Sequence, residues 1–292
     1  MNHEIPDNFL GLEPEFSDLE TSRFVVLPIP YDATASYLKG TVNGPQAIIS
    51  ASQQVEFFDE ILLDEFYQAG VFTAPPLECH GLSPEALQEK IIEAAAPYVH
   101  AYKFLLSLGG EHSVTPALVK VVRQRYDNLS VLHIDAHADL RDEYQGSIFS
   151  HACAMRRIYD MNIPVVHVGI RSFDRDQHDF IVAHKVKIFS PVAIMHKPDW
   201  IKDVLHGLTD NVYISLDIDG LDPAYAPGTG TPEPGGLTYQ QLVDLILAVG
   251  RTRHIAGADI VEVIPNISGV VTEFLAARLA YKIIAAAQLQ DQ

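Results

Sequence analysis

Three short apolar runs, far apart in the chain, each end in residues of the kind that hold metals. Residues 104–108 (FLLSL) lead into Gly109-Gly110-Glu111-His112-Ser113. Residues 131–134 (VLHI) lead into Asp135 and the stretch DAHADLR, and residues 213–216 (YISL) lead into Asp217-Ile218-Asp219-Gly220. Runs of this length read as buried strands. In an extended chain, alternate side chains share a face, so Asp135, His137 and Asp139 point one way and Ala136 and Ala138 the other. A helix would scatter them, because its neighbours lie three or four residues apart. Asp217 and Asp219 share a face for the same reason. Two carboxylates flanking an imidazole make a mixed oxygen and nitrogen site for a divalent cation. One such stretch could be a strand end meeting solvent. Three of them make a metal site the better reading, with the glycine pair letting the backbone turn sharply to present His112.

The runs between these strands complete the organisation. Residues 23–30 (RFVVLPIP) read as the first strand. Gly44-Pro45 opens a helix, with proline in its first turn. Residues 54–76 look irregular, anchored by Phe57, Phe58 and Phe66. Ser83 caps a helix that Pro84 and Glu85 begin, with Leu87, Ile91 and Ile92 at helical spacing. Helices are expected over 114–126, 151–161, 174–184, 199–208, 239–250 (capped by Thr238) and 270–289. Further strands are expected over 163–170, 186–189 and 254–264. Strands alternating with helices imply an α/β chain with a mostly parallel central sheet and helices on both faces. Ligands in such sheets sit beyond the carboxyl ends of the strands, where the candidate ligands fall. No linker divides residues 1–292, so one domain is expected, with 1–22 as a polar amino-terminal arm contributing little to the core. The loop 219–237, dense in Gly and Pro, is long enough to be functional.

Composition excludes several classes. A hydrophobic content of 48% with 20% charged residues provides a sizeable core. The net charge of −18 speaks against nucleic acid or an anionic membrane as partner, since both need clustered Lys and Arg. Cys79 and Cys153 are the two cysteines and form no Cys-x-x-Cys, so neither a zinc ribbon nor a disulfide framework is expected. No run of about eighteen apolar residues is present and residues 1–22 carry no apolar leader, so a cytoplasmic enzyme is expected.

Four aspartates converging on one spot repel each other unless cations intervene. Two dications neutralise them, provided some carboxylates bridge. Paired metals roughly 3.5 Å apart lower the pKa of a shared water from 15.7 towards about 7, giving a nucleophile at neutral pH. Four carboxylates, one hydroxide and two dications leave the centre at about −1, which favours a cationic substrate.

The set GGEHS, DAHADLR, SLDIDGLDP and ADIVEV closely resembles the ureohydrolases, the arginase and agmatinase family, across nearly the whole chain. The resemblance implies a single three-layer α/β/α domain with an arginase-like fold and two Mn2+ ions. It implies hydrolysis of a guanidino group to an amine and urea, and the trimeric or hexameric homo-oligomers usual in the family. It assigns one metal to His112, Asp135, Asp139 and Asp217 and the other to His137, Asp135, Asp217 and Asp219. Asp135 and Asp217 would bridge. His151 matches the histidine that shuttles protons at the mouth of the site, and Glu262 the glutamate that pairs with the guanidinium. An imidazole titrates near neutral pH, which suits a shuttle. A carboxylate held on a rigid strand suits a planar guanidinium.

The loop 141–150 (RDEYQGSIFS) does not resemble the arginase segment that receives an amino acid's carboxylate and amine. It looks like the agmatinase branch, so the expected reaction is agmatine to putrescine and urea, a step of polyamine and putrescine biosynthesis. Asp142 and Glu143 could help a distal ammonium. Relatives acting on guanidinobutyrate, guanidinopropionate or formiminoglutamate share the metal motifs. After Glu262 the chain reads Ile264-Pro265-Asn266-Ile267-Ser268, without the acidic residue many agmatinases carry there.

Each assignment has a plainer rival. His151 could simply line its helix, and Glu262 could pair with Arg171. Glu111 is expected to orient His112, and Asp259 to hold the metal shell or backbone. His133 is read as a buried, hydrogen-bonded histidine rather than a seventh ligand, and nothing is claimed for His167 or His254. Cys153 as a nucleophile is disfavoured because it points away from His151. A metal-binding paralogue without turnover is the alternative in a different class. A one-zinc relative from the deacetylase side of the fold is disfavoured by the surplus of ligands.

Overall fold

The computed structural model describes residues 5–267 and 269–290. Met1 to Glu4 of the expected arm, and Ser268, lie outside the described residues. Eight strands, β1 (Phe24–Ile29), β2 (Val71–Thr73), β3 (Phe104–Gly109), β4 (Leu129–Ile134), β5 (Val165–Val168), β6 (Lys187–Phe189), β7 (Asn211–Asp217) and β8 (His254–Val261), form one sheet in the order β2-β1-β3-β8-β7-β4-β5-β6. Every pairing is parallel. The sheet is therefore wholly parallel where a mostly parallel one was expected.

Alternation along each strand sorts its side chains between two cores. Leu132, Ile134, Ile214, Leu216 and Ile260 pack on one face with the helices Gly44–Ser52, Tyr239–Thr252 and Val271–Ala286. Val131, Val165 and Tyr213 pack on the other with Pro84–His100, Thr115–Arg123 and Ala154–Asp160. This is the three-layer arrangement the alternating pattern requires. The caps read from sequence are present. Ser83 accepts from the Ala86 N–H at 3.2 Å. Thr238 and Gln241 cap each other reciprocally, closing two otherwise orphaned donors. On one side of the sheet β1 lies between β2 and β3, and on the other β4, β5 and β6 run outward in order, so a crevice opens between the two halves, with β7 and β8 at the centre.

Four expectations are corrected. The amino-terminal segment is not a coreless arm: Phe9, Leu10 and Leu12 are buried, and the Leu10 N–H donates to Ser52 Oγ at 2.7 Å. Residues 54–76 are not wholly irregular, since Val71–Thr73 adds an edge strand to β1. Phe66 anchors that region, but Phe58 is 52% exposed. The last strand stops at Val261, three residues short of the expected end, because Glu262 adopts φ 65° and leaves the sheet.

Candidate metal centre

The six expected ligands meet at the carboxyl ends of β3, β4 and β7. β3 ends at Gly109, and Gly110 follows against Tyr31, where a Cβ would lie 2.0 Å from the Tyr31 carbonyl oxygen. Gly110 serves that close approach rather than a left-handed turn. His112 then enters the crevice. β4 stops at Ile134, so Asp135, His137 and Asp139 do not continue its pleat. Asp139 is left-handed, with φ 52°, and the Ala136 carbonyl accepts from the Arg171 and Ser172 N–H groups. Asp217 ends β7, and Asp219 lies in the 3-10 turn Ile218–Gly220. The residues converge as alternation implied, but turns rather than continued strands bring them together.

His112 Nδ1 lies 3.1 Å from Asp135 Oδ2, 3.2 Å from Asp139 Oδ2 and 3.4 Å from Asp217 Oδ2. His137 Nδ1 lies 3.0 Å from Asp219 Oδ2 and 3.6 Å from Asp135 Oδ1. Asp135 thus presents one oxygen to each histidine. Asp217 Oδ1 accepts the Asp219 N–H at 2.9 Å and keeps Oδ2 on the His112 side.

The far side of His112 decides its tautomer. Its Nε2 is 2.9 Å from Ser215 Oγ, which donates to Asp259 Oδ1 at 2.9 Å. Tyr213 donates to the other Asp259 oxygen at 2.8 Å. A serine already donating to a carboxylate accepts from the imidazole, so His112 carries a proton on Nε2 and turns Nδ1 towards the carboxylates. That nitrogen is buried without a hydrogen-bond partner and faces three carboxylate oxygens. A lone pair among carboxylates is repulsive unless a cation lies between them. With no cation there, a proton serves instead: burial opposes a charge on His112, but Asp135, Asp139 and Asp217 lift its imidazole well above the ordinary value. Burial and the neighbouring carboxylates push Asp217 well above the usual range, and Asp219 up also. Burial opposes a charge on His137, but Asp135 and Asp219 lift it to about 12. The donor set fits two divalent cations, one among His112, His133, Asp135 and Asp139 and the other among Asp135, His137 and Asp219; Asp217 belongs to neither group and adds an oxygen only on the His112 side.

A cavity of about 310 Å3 opens over this cluster, lined by His137, Asp139 and Asp217 together with His151, Glu262, Arg141, Tyr144, Phe173 and Asp174. Glu262 Oε1 accepts the His112 N–H at 2.8 Å and lies 3.5 Å from His151 Nδ1. Burial works against a charge on His151, but Glu262 outweighs it and lifts the imidazole to about 9. Arg171 does not pair with Glu262. It donates instead to the carbonyls of Gly169, Gly220, Asp219, Leu221, Glu233 and Pro234, clamping the 219–237 loop.

Two expectations for neighbouring residues change. Glu111 does not orient the His112 ring. Its carboxylate accepts from the Thr34 N–H and hydroxyl, at 2.7 and 2.5 Å, and from Ser113 Oγ at 2.7 Å. Thr34 Oγ1 in turn accepts the His151 N–H at 2.9 Å, so Glu111 ties the 31–40 loop to His151. Asp142 binds Arg157 at 3.0 Å, and the loop acid that lines the cavity beside Asp139, Asp217 and Glu262 is Asp174, held by Arg141 at 2.5 Å. The Cys153 thiol is buried and burial pushes it up to about 11, which leaves it inert. Thr34, Tyr144, Phe173 and Asp174 went unnoticed in the sequence because they belong to loops without motif or period.

The arginase family profile matches residues 22–286. The chain is 41% identical over 271 residues to N(1)-aminopropylagmatine ureohydrolase of Thermus thermophilus, covering 93% of this chain and 92% of that protein. It is 35% identical over 286 residues to N(1)-aminopropylagmatine ureohydrolase of Synechocystis, covering 96% and 93%. Among solved structures, the agmatine ureohydrolase of Thermoplasma volcanium superposes with a TM-score of 0.89 at 29% identity, covering 99% of this chain and 97% of that one.

Proposed function

The chain belongs to the arginase family of ureohydrolases, and from that premise we propose that it hydrolyses agmatine to putrescine and urea at a pair of Mn2+ ions. The observation that carries this reading is His112 Nδ1, buried among three carboxylates beside a cavity that Glu262 and His151 also line.

In this reading His112, Asp135, Asp139 and Asp217 would hold one ion, and His137, Asp135, Asp217 and Asp219 the other. Bound together, the ions supply a water acidic enough to ionise near neutral pH. Glu262 orients the guanidinium: its Oε1 is engaged by the His112 N–H, and Oε2 takes a guanidinium N–H. His151 holds a proton on Nδ1 against Glu262, and its Nε2, buried without a hydrogen-bond partner, passes a proton to the departing amine. Arg141 and Asp174 neutralise each other at 2.5 Å, so that wall presents no net charge to a cationic tail. No helix among the described residues is long and apolar enough to cross a membrane. We read the chain as a cytoplasmic, single-domain homo-oligomer.

A second reading has a specific basis. The relatives from Thermus thermophilus and Synechocystis are named for N(1)-aminopropylagmatine, whose guanidinium bears a longer cationic tail. Urea release from agmatine, N(1)-aminopropylagmatine, arginine and guanidinobutyrate, with Mn2+ added, tests both. The expected result is turnover of one or both of the first two and little of the others. No urea from any of the four would leave a metal-binding protein without this activity.

A further inference from the structure

Register lays a row of polar side chains across the middle of the sheet. It pairs Ser107 with Asp259, Asp259 with Ser215, Ser215 with His133, and His133 with His167. All five are buried. Polar groups at such depth are destabilising unless hydrogen-bonded. Asp259 and Ser215 serve His112, as described above. The histidine half of the row has no part in the proposed chemistry.

Its geometry is directional. His133 Nε2 lies 2.8 Å from Asp135 Oδ2. His133 Nδ1 lies 2.8 Å from His167 Nδ1, and His167 Nε2 lies 3.3 Å from the Tyr159 hydroxyl. A carboxylate only accepts, so His133 donates from Nε2. A neutral His133 then accepts at Nδ1, so His167 donates from Nδ1 and accepts from Tyr159 at Nε2. Every hydrogen bond in the chain points towards Asp135. Both ring nitrogens of His133 are thereby engaged, although it lies among the atoms close enough to share a cation with His112, Asp135 and Asp139.

We propose that Tyr159, His167 and His133 form a buried positioning relay that sets the plane of the Asp135 carboxylate, so that Oδ2 faces His112 and Oδ1 faces His137. The relay rests on the reading of Asp135 as the carboxylate shared by two cations. Hydrogen-bond partners of metal ligands fix their orientation, and losing one costs about 10–100-fold in metal affinity. His133 and His167 are positioning residues, since they touch neither substrate nor reacting atoms.

The test is Mn2+ titration calorimetry on the metal-free full-length protein. His167→Asn places an amide donor near the position of Nδ1, whereas His167→Gln places it near Nε2, out of reach of His133. The two replacements are equally polar and differ in reach, so folding does not confound the comparison. His167→Gln is expected to bind Mn2+ about 10–100-fold more weakly, and His167→Asn to stay within a few-fold of wild type. His133→Gln keeps a donor to Asp135 that needs no His167, so adding His167→Gln to it should cost no further affinity. Equal affinities for His167→Asn and His167→Gln, or a full additional loss in the double variant, would overturn the relay alone. A wild-type protein that takes up no Mn2+ would overturn the metal reading and the relay with it.

Discussion

An imidazole nitrogen buried among three carboxylates makes His112 the most informative residue of the chain. Its Nε2 proton is dictated by Asp259 on the neighbouring strand and Ser215 on the next, and its Nδ1 faces Asp135, Asp139 and Asp217. Asp135 is the carboxylate both histidines face. Asp135→Ala should therefore reduce bound metal from two ions per chain towards none and abolish urea release, read by elemental analysis and by turnover; a variant retaining both ions and full rate would refute the shared role. Glu262→Gln should keep both ions while raising KM for the guanidino substrate about tenfold or more, because a neutral amide cannot pair with a guanidinium. Unchanged kinetics would remove Glu262 from substrate binding. The candidate ligands were legible in the motifs at the strand ends. The tautomer of His112 was not, because it depends on Ser215 and Asp259, more than a hundred residues further along the chain.

At the scale of elements, caps and apolar runs read well and loops read poorly. The capping pair Thr238 and Gln241 was visible in part, and Thr238→Ala should destabilise the fold by about 1 kcal/mol in chemical unfolding. The amino-terminal segment and residues 54–76 were misjudged, because their apolar residues follow neither helical nor strand period. Their anchors come from elsewhere. Tyr281 donates to the Phe57 carbonyl at 2.5 Å, and Lys282, 1% exposed, pairs with Asp59 at 2.7 Å. A buried carboxylate stripped of its partner is costly, so Lys282→Met should destabilise by about 3–5 kcal/mol. A loss below about 1 kcal/mol would show that the pair is not what docks the loop on the last helix. Glu262 is instructive in the same way: it was expected on a strand, yet its left-handed backbone turns it out of the sheet towards His112 and His151.

For the molecule as a whole, the centre couples metal to stability. Burial, and then repulsion among Asp135, Asp217 and Asp219, raises the Asp217 and Asp219 carboxyls when no cation separates them. Chelation should lower Tm, and Mn2+ at a hundred times its Kd should restore about 2.7 kcal/mol. A Tm indifferent to chelator would mean that the cluster is satisfied by protons alone. The sequence by itself determined the alternation of strand and helix, a mostly parallel sheet and the six candidate ligand side chains. These follow from local periodicity and from residue chemistry, which need no neighbours. Only the tertiary structure decided which oxygen faces which nitrogen, that Arg171 clamps a loop instead of pairing with Glu262, and that Asp174 rather than Asp142 lines the cavity. Those outcomes depend on distances of a few ångströms between segments far apart in the chain. They are set by how the sheet packs, and no local pattern encodes them.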